Sequence, residues 1–149
     1  MTRGKSAGGI DAVVRLRRHE ERQMSLEAAR ELAAVKESEK HLEAAEAEVE
    51  KLIHQLDVES ERLEARLKKG IRVAEAAAAM QYLRALRQGL VKARKRVTSA
   101  CDDLEKAASR LGVVQAKLRE KSAHKKAAEK YLSQKLKKEA AERERKEET

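Results

Sequence analysis

Residues 83–118 read LRALRQGLVKARKRVTSACDDLEKAASRLGVVQAKL. Within them Leu83, Leu90, Val97, Leu104, Leu111 and Leu118 recur at intervals of seven. Leu86, Ala93, Ala100, Ala107 and Val114 form a second row at the same interval. These are the a and d positions of a heptad repeat, which predicts a long helix with a narrow apolar seam. The partner of that seam has to be found elsewhere in the sequence or in another chain.

Upstream, a second seam runs through Val14, Glu21, Ala28, Val35, Leu42, Val49, Leu56 and Leu63. Its companion row is mixed: Arg17, Met24, Glu31, Ser38, Ala45, Leu52 and Glu59. Leu32, Ile53 and Leu67 stand one place beyond that row, so the seam is broader than the first, as expected when a 3.6-residue helix drifts against a 3.5-residue repeat. The spacing from Leu63 to Leu83 is one residue short of three heptads, so the two seams are not one continuous helix. Gly70 supplies the break as a left-handed C-terminal residue, with Lys68 and Lys69 in the last turn and apolar Ile71 after it.

The sequence therefore predicts an all-α fold of two long helices in an antiparallel coiled-coil hairpin. Helix one covers about 11–69 with Asp11 as N-cap, the turn lies near 68–74, and helix two covers about 74–145. Residues 1–10 read as a disordered lead and 146–149 as a frayed tail. Folding about Gly70 and Ile71 sets Leu56 against Leu86, Leu52 against Leu90, Ala45 against Val97, Leu42 against Ala100, Val35 against Ala107 and Val14 against Ala128. Large residues meet small ones, as interdigitating layers require. Glu21 falls opposite Lys121. Ser38 and Glu31 face Leu104 and Leu111, a mismatch that Leu32 is expected to cover. Arg17 falls opposite Lys125, which predicts repulsion at the end of the pair that holds both termini.

Composition agrees with this fold. The 149 residues are 41% charged and 41% hydrophobic, with two tyrosines and no Phe, Trp or Pro. Such a chain has the coiled-coil profile and lacks the aromatic bulk of a globular core. The net charge of +9 permits an acidic protein, a nucleic acid or an anionic membrane as partner. Charge is divided along the chain. Residues 23–67 hold six basic and twelve acidic side chains, whereas 68–98 hold nine basic and one acidic.

Enzymatic chemistry finds no foothold. His19, His41, His54 and His124 are scattered, and no His or Cys stands near another at metal-ligand spacing. Gly4-Lys5-Ser6 has the ending of a phosphate loop without its upstream glycine or a preceding strand. Cys101 is the lone cysteine, so no intrachain disulfide is possible, which fits a reducing, cytosolic setting. No signal peptide is expected, and the longest apolar run, Ala76 to Met80, is too short to span a bilayer. A two-helix fold offers no enclosed pocket, so no catalysis, metal, cofactor or small-molecule substrate is expected. Nucleic-acid binding is the weaker alternative, because there is no aromatic platform for stacking and no basic region feeding a parallel zipper.

The Leu52-Ile53 pair, the segment Tyr82-Leu83-x-x-Leu86-x-x-Gly89-Leu90 and the charged run Glu139-Ala140-Ala141-Glu142-Arg143 carry a resemblance. With the hairpin pattern that spans nearly the whole chain, they resemble the FliJ/YscO-type stalk family of type III protein export. Tyr82 is the only aromatic near the turn, where relatives often carry more. The resemblance implies a cytoplasmic protein, peripheral to the inner membrane at the export apparatus. It implies insertion of the termini end into a hexameric export ATPase, and contact of the turn end with the cytosolic domain of the export gate. Secretion chaperones are implied as further partners. Gate-side candidates are then Gln55, Tyr82, Leu52, Leu86 and Gly89. ATPase-side candidates are Arg15, Arg17, Arg18, Arg22, Lys125, Lys126 and Lys130. Leu52 and Leu86 already belong to the expected seam, whereas Tyr82 and Gln55 lie off it. The alternative is a general coiled-coil scaffold or adaptor.

Overall fold

In the computed structural model the backbone is described for residues 2–148 and the side chains for residues 8–148. Two helices make up the fold, α1 (Thr2–Lys69) and α2 (Val73–Glu148), joined by residues 70–72. The chain is an all-α antiparallel helical hairpin, with no strand among the described residues. The helices end where the expectations placed the turn. The outer ends differ. Helix α1 begins before Asp11 and includes Gly8 and Gly9, each at ~1 kcal/mol relative to alanine. Asp11 is therefore not an N-cap; its carboxylate pairs instead with Arg15 one turn on, at 3.5 Å. Helix α2 continues through the expected tail to Glu148. The side chains of Gly4-Lys5-Ser6, and Thr149 altogether, lie outside the described residues.

The turn is built by Gly70. Its φ of 85° is the left-handed value that the absence of a Cβ permits, and no other described residue needs it. The Gly70 N–H donates to the Leu67 carbonyl at 3.3 Å, one of the two bonds of a Schellman ending. Ile71, the next residue, is half-buried. Arg66, Lys68 and Lys69 occupy the last turn of α1, and Glu75 the first turn of α2, each with the sign its helix dipole favours. The Arg72 carbonyl accepts from the Ala76 N–H at 3.0 Å and starts α2.

The chain divides into two compact units. One holds Met1–Ala33 with Ala108–Thr149, and the other Ala34–Ala107. In the turn unit the buried residues are Leu83, Leu90, Ala93 and Ala107, all on the a and d rows of α2. Leu42, Ala45, Val49, Leu52, Leu56 and Leu63 of α1 are half-buried, and Ser38 shares their row and their burial. In the termini unit Val14 and Val114 are buried. Met24, Ala28, Leu111, Leu118 and Ala128 are half-buried around them. Leu32 does not cover the Glu31 layer, for it stands 43% exposed. The layer is closed by charge instead: Glu31 is half-buried and pairs with Arg110 across the helices at 3.5 Å.

Two glycines give opposite expectations. Gly70→Ala places a Cβ in the left-handed region and should destabilise the fold by ~1–2 kcal/mol. Gly112→Ala, in mid-helix with open space around the added Cβ, should stabilise by up to ~1 kcal/mol. Urea unfolding followed by circular dichroism reads both. A stabilising alanine at position 70 would contradict the turn described here.

Candidate partner-binding surfaces

With the apolar rows facing inward, recognition falls to the two flanks of each unit. On one flank of the turn unit a shallow groove is lined by Glu59, Arg62, Leu63 and Arg66 of α1. From α2 it takes Glu75, Ala78, Ala79, Tyr82 and Leu83. Ala78 and Ala79 leave the groove open because their side chains end at Cβ. Tyr82 follows them and is 49% exposed, with its ring offered to the surface. Arg66 crosses to Glu75 at 3.3 Å, and Arg62 folds back on Glu59 at 3.0 Å. These exposed pairs contribute at most about 1 kcal/mol each, so their effect is on orientation more than on stability. The groove combines an aromatic face, small residues and two arginines, a set suited to a protein segment.

The other gate-side candidates scatter in burial. Leu52 and Leu86 are half-buried members of the inward rows, as the sequence indicated. Gln55, expected to lie off the seam, is half-buried as well, because it sits directly before Leu56 and packs along the edge of the inward row. Gly89 is half-buried, with nothing within 4 Å of an added Cβ. Tyr82 is thus the most open of the gate-side candidates, the others being half-buried. A second groove of this unit, which the sequence did not single out, is lined by His41, Ala44, Ala45, Glu48, Ala93, Arg96, Ser99, Ala100 and Asp103. Alanines make it too, at rows where longer residues would have filled the space.

The termini unit corrects one expectation outright. Arg17 and Lys125 do not oppose each other unscreened. Arg17 pairs with Glu20 at 3.2 Å, and Lys125 pairs with Glu21 at 2.8 Å. Glu20 also accepts from Lys121 at 3.3 Å. The sequence reading paired Lys121 with Glu21, so the charges match as expected with the partners displaced by one residue. Arg18 crosses to Glu129 at 2.9 Å, and Arg15 is held by Asp11. Of the seven ATPase-side candidates, Arg22, Lys126 and Lys130 are exposed and make no ion pair among the described residues. They are the cations of this group open to a partner. The missed signal was the adjacent Glu20-Glu21 pair, which supplies one carboxylate to each facing lysine.

Lys121 holds the Glu20 carboxylate below its ordinary value, against a smaller opposing effect of desolvation and with help from Arg17. Lys125 does the same for Glu21, assisted by the Ser122 hydroxyl. No group of three or more metal-ligating side chains occurs among the described residues. Among the described residues no helix is long and apolar enough to cross a membrane. Cys101 is exposed. No family model, curated protein or solved structure matches the chain.

The lowered carboxylates fix the sign of a pH effect. Stability contributed by Glu20 and Glu21 is fully present above the ordinary value of 4.5 and is lost as pH falls through their lowered folded values. The Glu20→Gln/Glu21→Gln variant should melt below the wild type at pH 7. The gap should narrow as pH falls below that value. A gap that stays constant on acidification would show that these pairs add nothing.

Proposed function

We propose that this chain is the central stalk component of a type III protein export apparatus, a non-enzymatic helical hairpin that links a hexameric export ATPase to the export gate. In this reading it acts in the cytoplasm, peripheral to the inner membrane, and needs no cofactor. The observation that carries the reading is the division of labour in the hairpin. The long aliphatics of the heptad rows are turned between the helices, and the surface left outside includes a tyrosine groove beside the turn and a cationic surface beside the termini. The groove is the gate-side surface, with Tyr82 as its anchor. Arg22, Lys126 and Lys130 are the ATPase-side cations, exposed and without an ion pair among the described residues. The FliJ/YscO-type resemblance supplies the partners; the exposed residues supply the contacts.

Adding the protein to its cognate export ATPase should raise ATP turnover and promote hexamers. The variant Arg22→Glu/Lys126→Glu/Lys130→Glu should lose that stimulation while its circular dichroism stays helical. Tyr82→Ala should weaken binding to the gate's cytosolic domain by about tenfold or more, as loss of an aromatic anchor does, and leave ATPase stimulation intact. An ATPase that does not respond to the wild-type chain would refute the stalk and leave a general helical adaptor.

A further inference from the structure

The flank of the turn unit opposite the Tyr82 groove carries a pattern that the stalk reading does not use. It is made by the residues one place after each d position, together with those one place after each a position. Over residues 43–67 of α1 these are Glu43, Glu46, Glu50, Ile53, Asp57, Ser60, Glu64 and Leu67. Over residues 73–98 of α2 they are Val73, Ala77, Met80, Arg84, Arg87, Val91, Arg94 and Thr98; beyond these ranges Lys36 on α1 and Glu105 on α2 carry the opposite signs. One helix thus presents a stripe of carboxylates and the other a stripe of arginines. Apart from Glu64, which pairs with Lys68, none of these charges makes an ion pair among the described residues. The same flank exposes large apolar side chains. Val73 is 85% exposed, Met80 63% and Leu67 55%, with Val91 and Ile53 also outside the core.

We propose that this flank is a dimerisation surface, and that its occupant is the same flank of a second copy. The charge pattern chooses among partners. A nucleic acid or an anionic membrane would meet the arginines only by lying against the acidic stripe, one interhelical spacing of ~8–10 Å away and within about a Debye length. A surface with the stripes exchanged fits both at once. A two-fold axis running along the hairpin produces that surface from the chain itself, because it lays α1 of each copy over α2 of the other. An axis across the hairpin would instead lay acid on acid and base on base. The favoured arrangement is therefore parallel, with both turns at the same end.

In that arrangement the residues meet level by level. Arg84 reaches the second copy's Asp57, and Arg94 reaches its Glu46 and Glu50. Val91 lies over Ile53. Leu67, Val73 and Met80 of both copies close on one another around the axis beside the turns. Charge and apolar surface are self-complementary under the same operation. The Tyr82 groove lies on the other flank and stays open in the dimer.

A charge-exchange experiment tests this. The wild type should sediment at about 100 µM and low salt with twice the 16.8 kDa mass of the chain, and dissociate as salt rises. The variant Arg84→Glu/Arg87→Glu/Arg94→Glu has two acidic stripes, and Glu46→Arg/Glu50→Arg/Asp57→Arg has two basic ones. Each alone should be a helical monomer, and the two mixed should recover the dimer mass. On a Cys101→Ser background, Leu67→Cys mixed with Val73→Cys should form the intermolecular disulfide of a parallel pair. A monomeric wild type, a dimer that survives either triple variant, or a mixture that fails to associate would overturn the proposal. So would a monomer whose arginines bind tRNA or anionic vesicles instead.

Discussion

The structure depends on a seam that must be buried and can be buried by the same chain. A row of aliphatics every seven residues cannot be covered by the helix that carries it. In the turn unit the closest burial falls on Ala93 and Ala107 as well as on Leu83 and Leu90. Alanine at an inward position lets the facing helix approach and receive a larger side chain. The pairing expected from the sequence, Leu42 against Ala100 and Val35 against Ala107, follows that rule. Gly70 then makes the partner available at the shortest distance along the chain, by adopting a backbone conformation that costs other residues about 1–2 kcal/mol.

Once the seam is closed, the remaining surface combines charge with exposed apolar side chains such as Val73, Met80 and Leu67. In the termini unit Glu20, Glu21, Glu31 and Glu129 each hold a facing cation, and the carboxylates nearest the lysines are kept ionised to lower pH. The turn unit leaves its charges apart in stripes on one flank and gathers a tyrosine, alanines and paired arginines on the other. The two flanks therefore suit different partners, and the proposed stalk contact and the proposed self-association do not compete for one surface.

Much of the fold was legible because its signals repeat. The seven-residue spacing, the phase slip between Leu63 and Leu83 and the glycine inside that slip each point to the same hairpin, and errors at single positions do not change it. Single positions were where the sequence misled. Asp11 looked like a cap, yet a helix that tolerates Gly8 and Gly9 runs past it and turns its carboxylate toward Arg15. Leu32 looked like a patch for a polar layer, yet Arg110 reached Glu31 and left the leucine outside. Arg17 and Lys125 looked repulsive because rows alone omit the flanking Glu20 and Glu21. Exposure at Tyr82 was legible from its row, whereas the partial cover on Gln55 depends on packing at the edge of the seam.

The central claim is that the ladder from Leu83 to Leu118 is answered within its own chain. Pairs of spin labels in the turn unit test it most directly, on a Cys101→Ser background. One label sits at Ala44, and the other is stepped along α2 through Lys92, Ser99 and Lys106. Ala44 and Ser99 line one groove, so the shortest distance belongs at Ser99, and steps of seven residues, about 10 Å each, lengthen it on both sides. The short distance should persist when labelled chain is diluted with unlabelled chain. A minimum at Lys92 or Lys106, or a short distance that vanishes on dilution, would contradict the account.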